Sequence, residues 1–181
     1  MEQDPATDPV SELETHLAAF QREFPEIDPQ VEAIVAALFR LHRRMDVAYG
    51  RQLTALGISN AEWEVLRTLV VAGRPYRLGP GELARSLGLT AAAVTHRVDR
   101  MVTDGLVTRS RDENNRVRVI IELTDAGREM WDLVVREAAR FEAGLLQDLG
   151  SGERAALADG LRRMLERVEE TQPDAAGRTE G

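Results

Sequence analysis

The stretch Gly81–Gly105, GELARSLGLTAAAVTHRVDRMVTDG, limits the possible folds more than any other part of the chain. Leu83, Ala84 and Leu87 recur at helical spacing, and Pro80 just ahead suits a first helical turn. Gly88 breaks that helix. Thr90 is placed to cap the next one, 91–104, which Gly105 ends. Two short helices joined by a glycine turn have little freedom of packing. Leu83, Ala84 and Leu87 must meet Val94, Val98, Met101 and Val102, and small Ala84 lets the axes cross closely. The outer face of the second helix is then Ala92, His96, Arg100 and Thr103, flanked by Ala93, Thr95 and Asp99.

Two strand-like stretches follow, LVTRSR at 106–111 and VRVIIEL at 117–123, either side of the polar turn DENN. The second alternates, with Val117, Val119, Ile121 and Leu123 on one face, so the pair reads as a hairpin with a charged tip. A short strand at Tyr76–Leu78 is also expected. Helix, glycine turn, helix and hairpin together make a winged helix-turn-helix.

The flanks read as helices. Ser11 and Glu14 form a capping box for a helix marked by Leu13, Leu17, Phe20 and Phe24, stopped by Pro25. Asp28-Pro29 opens a second, with Val31, Ile34, Val35, Leu38, Leu41, Met45 and Leu53 on one face and Gly57 at its end. It is roughly 40 Å long, too long for a small domain to cover on one side, and so points to packing on another chain or on a distant part of its own. Ser59 and Glu62 box a third helix, with Trp63, Leu66, Leu69 and Val70 inward and Gly73 as its stop. Thr124 caps a helix over 125–149, with Met130, Trp131, Val134, Ala138, Phe141 and Leu145 inward. Gly150-Ser151 breaks it before a last helix, about 152–170, carrying Leu157, Leu161, Met164, Leu165 and Val168. The fold class is mainly α with a small β-hairpin: a winged helix-turn-helix between long dimerisation helices. The expected divisions are 1–57 (N-terminal helices, dimerisation), 58–123 (winged helix-turn-helix), 124–170 (C-terminal dimerisation helices) and 171–181, a disordered tail without large apolar residues.

Charge points to a partner. The chain carries a net charge of -8, yet residues 74–118 hold nine arginines against five acids, a local surplus of four. A basic middle between acidic flanks suits a polyanion, or is an ordinary solvated face. All 23 basic residues are arginine, which GC-rich codon usage explains without any function. Alanines 91–93 keep the start of the second short helix thin enough for its backbone to approach a groove, and its free N–H groups favour phosphate. Ala92, Thr95, His96, Arg97 and Arg100 are the candidate DNA contacts on this helix. Arg116 and Arg118 are the candidates near the hairpin tip, placed for a minor groove. Arg97 equally suits an ion pair, His96 an inert surface position, and Arg100 a structural pair with Asp99.

The run GELARSLGLTAAAVTHRVDRMVTDGLVTRSRD, followed by VIIELTDAG, resembles the MarR family of bacterial transcription regulators. The resemblance implies a homodimer with intertwined terminal helices. It also implies two winged domains reading a pseudo-palindromic operator in double-stranded DNA, and repression of nearby genes released by a small ligand. In that family Thr95 and Arg100 match DNA-contacting positions, and Arg often stands where His96 does. The family's wing usually reads Asp-x-Arg; here those positions are Asn115 and Val117, with Arg116 or Arg118 as substitutes. The leading helix resembles the urate-responsive subgroup, whose ligand site uses a Trp, an Asp and a strand Arg. The matching positions are Phe20, Glu64 and either Arg109 or Ser110, so Trp is lost and Asp has become Glu. His42, Tyr49 and Trp63 are further candidates to line a pocket for a small aromatic effector, phenolic or purine-like, although Trp63 equally suits the core and His42 a dimer contact.

Several classes are excluded. Without cysteine there are no disulfides, thiolate metal sites or thiol-oxidation switches. His16, His42 and His96 fall on three different helices, so neither a metal nor a cofactor is expected. There is no glycine-rich phosphate loop, nucleophile elbow or paired His/Glu motif, so the chain is not expected to be an enzyme. No apolar run of about 18 residues spans a membrane, and the acidic start is no secretory signal; a cytoplasmic location is expected. The rival function is a winged-helix module for protein–protein contact without specific DNA binding.

Overall fold

The computed structural model describes residues 9–112, 115 and 117–172. Two compact units divide after Trp131. The first holds α1 (Pro9–Glu23), α2 (Pro29–Ala55), α3 (Asn60–Val71), β1 (Arg77–Leu78), α4 (Pro80–Leu87), α5 (Ala91–Thr103), β2 (Val107–Arg111), β3 (Val119–Leu123) and the start of α6 (Asp125–Leu145). The second holds the rest of α6 and α7 (Ser151–Thr171).

Local chemistry sets most helix ends. Asp28 caps α2 by accepting from the Gln30 amide, with Pro29 in the first turn. Ser59 and Glu62 close a reciprocal capping box on α3. Thr90 accepts from the Ala93 amide at the start of α5. Gly88 and Gly105 follow α4 and α5 with φ of 62° and 73°, a region that glycine enters without strain. Ser11 departs from expectation. α1 begins at Pro9, so Ser11 lies inside the helix and its carbonyl accepts from the Thr15 hydroxyl at 2.8 Å.

The core of the first unit sits between α3, α4, α5 and the sheet. Val65, Leu66, Leu69, Leu83, Val94, Val98, Met101, Val107 and Ile121 are each at most 1% exposed. Burial of one such side chain stabilises by about 1.5–3 kcal/mol. Two details differ from the helical-wheel reading. Val65, not foreseen, is fully buried, whereas Val102 is open to solvent. Val102 sits about 100° round the axis from Met101, far enough to leave the α4-facing side.

The sheet has three antiparallel strands in the order β1-β3-β2. β2 pairs with β3 from Val107↔Leu123 to Arg111↔Val119, and β1 pairs through Arg77↔Glu122 and Leu78↔Ile121. The expected alternation of VRVIIEL fails at both ends of its logic. Val117 lies in the turn, almost fully exposed, and both Ile120 and Ile121 are buried. Adjacent residues of a strand point to opposite faces, so β3 is covered on both faces here rather than one. β1 is one residue shorter than expected: Tyr76 has φ 62° and stands before the strand, its carbonyl accepting from the Leu123 amide.

The return from the wing to α6 centres on two adjacent carbonyls. Leu106 O accepts from the Thr124 amide at 3.2 Å, and the single hydroxyl proton of Thr124 is shared between Gly105 O at 2.7 Å and Leu106 O at 3.0 Å. The same hydroxyl oxygen caps α6 by accepting from the Gly127 amide at 2.9 Å. A Cβ on Gly127 would lie 2.1 Å from Leu106 O. That contact forbids any side chain there.

α1 and α2 are tied by Glu12–Arg40 at 2.9 Å and His16–Glu32 at 3.3 Å. Of α2 only Leu53 is buried, and Val31, Ile34, Leu41 and Val47 are open. In the second unit α6 ends at Leu145, four residues before the expected 149, because 146–149 turn instead. α7 has no buried residue: Leu157, Met164, Leu165 and Val168 are exposed. Arg162 joins Asp159 and Glu166, each about a turn away from it along the helix, at 2.6 Å each. Residues 173–181, most of the expected disordered tail, lie outside the described residues.

Gly127→Ala tests the junction. Ala ordinarily favours a helix interior by about 1 kcal/mol over Gly. Here we expect overpacking of at least about 1–3 kcal/mol, a fall in Tm of several degrees by thermal melt. An unchanged or raised Tm would contradict the contact with Leu106.

Candidate nucleic-acid interface

α5 presents two unlike faces. Val94, Val98 and Met101 are buried, while Ala91, Ala92, Thr95, His96, Asp99 and Arg100 are exposed. Arg97 is half-buried at the boundary. The Thr95 hydroxyl donates to the Ala91 carbonyl at 2.9 Å, so outwardly it offers lone pairs and a methyl group. His96 is exposed and makes no hydrogen bond or ion pair with any described residue. The cap at Thr90 leaves the alanine turn of α5 bare of bulk.

Three of the arginines around this face are already engaged. Asp99 pairs with Arg109 of β2 at 2.9 Å, not with Arg100. The helix turns Asp99 toward the strand, ten residues on, and Arg100 toward α3. There Arg100 Nε lies 2.9 Å from Glu62 Oε1 and 3.9 Å from Asp104. Arg118, before β3, reaches Glu82 of α4 at 3.1 Å. Glu82 also accepts from the Gly79 amide at 2.7 Å, completing the first turn of α4. That backbone hydrogen bond, and after it the Arg118 guanidinium, hold the Glu82 carboxyl below its ordinary pKa. Arg116 lies outside the described residues.

Comparison with known proteins then decides the family. The family model described as the MarR family matches residues 58–119, from the start of α3 into β3. A MarR family protein of Bacillus stearothermophilus is 30% identical in structure-based comparison, covers 76% of this chain and 96% of its own, and gives a TM-score of 0.61. The chain belongs to the MarR family. The HTH-type transcriptional regulator PecS of Dickeya dadantii is 29% identical over 150 residues, 83% of this chain and 88% of PecS. A mutant MepR of Staphylococcus aureus, bound to an oligodeoxyribonucleotide, shares the fold at a TM-score of 0.62 over 74% of this chain and 97% of that one, with 22% identity.

In this MarR-family chain the six effector-site candidates have separate surroundings. Trp63 stacks on Trp131, ring centroids 4.6 Å apart and 14° from parallel. Glu64 is taken by Arg67 at 2.6 Å, Arg109 by Asp99, and His42 by Asp46 at 3.4 Å. Phe20 packs on Phe24 at 5.0 Å, and Tyr49 is half-buried on α2. An open cleft of about 720 Å³ along α1 and α2 has His16, Glu32, Phe39 and His42 in its wall, but none of the other five candidates. Sequence reading missed a second cluster. The Arg74 and Arg128 guanidinium groups lie 5.6 and 5.4 Å from the Tyr76 ring centroid, and Arg128 also donates to the Tyr76 hydroxyl. Its one signal is Tyr in the loop GRPYRLGP between two arginines. Among the described residues no group of His, Asp and Glu is arranged to hold a metal, and no helix is long and apolar enough to cross a membrane.

A lowered folded pKa means that folding favours ionised Glu82. Its contribution is fully present above the unfolded carboxyl value, about 4.3, and is lost as pH falls through the lower folded value. Glu82→Gln keeps an acceptor for Gly79 but not the charge. The wild type should therefore exceed the variant in urea midpoint at pH 7, with the gap shrinking below about pH 4. A gap independent of pH would refute the charged role.

Proposed function

We propose that this chain is a homodimeric, DNA-binding transcriptional regulator that places α5 of each copy in a major groove, half-sites about one helical turn (roughly 10 bp) apart. One observation carries this: α5 buries Val94, Val98 and Met101 while leaving Ala92, Thr95 and His96 open and unobstructed on its other side. Ala92 gives clearance. Thr95, its proton committed to Ala91, accepts from an exocyclic amine or packs its methyl on thymine. His96 donates to a guanine edge or a phosphate. Arg97 lies at the groove margin, and Arg118 at the wing side meets phosphate by exchanging Glu82 for it. Such a regulator works in the cytoplasm and carries out no catalysis. A repressor results where the operator overlaps a promoter. An effector that favours a dimer with another half-site spacing would release the DNA by population shift.

The exposed apolar faces of α2 and α7 support the homodimer, each chain covering its partner's. The oligomer should run at twice the 20.1 kDa chain mass by light scattering. Leu165→Glu, charging the most exposed apolar residue of α7, should shift it toward monomer and lower duplex affinity at fixed protein concentration. A variant dimer as tight as the wild type would remove α7 from the interface.

Footprinting of the DNA upstream of the chain's own gene tests the whole reading. A protected palindrome is expected, with affinity falling steeply between about 50 and 200 mM salt, and His96→Ala should weaken it by about 1–2 kcal/mol. Absence of protection at low salt would instead favour a protein-contact module.

A further inference from the structure

Glu62 is the buried charged side chain of the described core, 3% exposed. Its position is fixed twice over. Oε2 accepts from the Ser59 amide at 2.8 Å and from the Ser59 hydroxyl at 2.7 Å, closing the α3 capping box. Oε1 is shielded from solvent and no donor is aligned to hydrogen-bond it. The charge facing it is Arg100, whose Nε lies 2.9 Å away while the rest of that side chain remains largely exposed. A capping carboxylate alone has no need of burial beside a recognition helix. A buried carboxylate does need a counter-charge, because losing the partner strands it in a medium that solvates it poorly.

We infer that Arg100 is a positioning residue: held on Glu62, it fixes the rotation of α5 about its own axis and thereby the presentation of Thr95 and His96. Apolar packing of Val94, Val98 and Met101 attaches α5 but carries little directional information, since dispersion contacts tolerate small rotations. The ion pair supplies direction, tying the C-terminal half of α5 to the first turn of α3. A base reader at the same position would have to leave Glu62, stranding Oε1 each time DNA was bound. The pair also joins the start of α3, next to the end of α2, to the reading edge, so displacement of α3 would be transmitted to α5. This assignment rests on the DNA-binding reading above.

Glu62→Gln, Arg100→Gln and the double variant test it on the duplex that the wild type protects, with melting curves to verify folding. Gln at 62 still accepts from Ser59, since a capping box takes Glu or Gln, while its amide NH2 meets Arg100 in place of the charged oxygen. Each single variant should lower duplex affinity about tenfold with the salt slope unchanged, and the double variant should lose less than the two singles combined. If Arg100 instead touches phosphate, Arg100→Gln lowers the salt slope by about one and Glu62→Gln binds at least as tightly as the wild type; that result overturns the assignment. Wild-type affinity in either single variant does the same. Failure of the wild type to bind any duplex overturns the functional reading, and this assignment with it.

Discussion

The Leu106 carbonyl is the point on which the winged unit depends. It ends the stretch that leaves α5, accepts from the Thr124 amide, shares the Thr124 hydroxyl proton with the Gly105 carbonyl, and lies where any side chain on Gly127 would be. Three directions of chain meet there: into β2, out of β3, and up α6. The adjacent carbonyls of Gly105 and Leu106 therefore fix the wing against the helix that follows it, and only a residue without Cβ lets the helix come so near. Displacing that helix start would move β3, and with it the partner strand on each side.

Electrostatics work on a second level. Around α5, Arg109, Arg118 and Arg100 are not loose cations; each faces a carboxylate of α5, α4 or α3. Exposed pairs of this kind contribute little stability, about 0–1 kcal/mol each. Their effect is geometric: each holds a long side chain near one position. His96 has no such partner among the described residues. The local positive surplus is thus partly organised before any polyanion arrives.

What the sequence made legible follows the range of the physics. Caps at Asp28, Ser59 and Thr90, and stops at Gly57, Gly88 and Gly105, involve neighbours within four residues, and the structure bears them out. The outward face of α5 was readable because three buried apolar residues fix its phase. Partner choice was not readable. Asp99 turns to Arg109 rather than Arg100, and Glu62 meets a side chain 38 positions away, since nothing periodic links such pairs. The capping role of Glu62 also hid its second one. Ile120 was misread because alternation presumes one wet face, whereas β3 is covered on both faces at Ile120 and Ile121. Ser11 failed for a simpler reason: Pro9 is itself a good first helical residue.

α7 carries its own support along one side, Arg162 bridging Asp159 and Glu166, each about a turn away from it, while its apolar residues stand open on the helix. Such ladders stabilise a helix by about 0.2–0.5 kcal/mol per pair without help from a neighbour. A chain laid against it meets a surface already ordered, and association then costs less conformational entropy than folding a loose segment onto a partner. In the homodimer proposed above, encounter between copies would in this respect be closer to docking than to coupled folding.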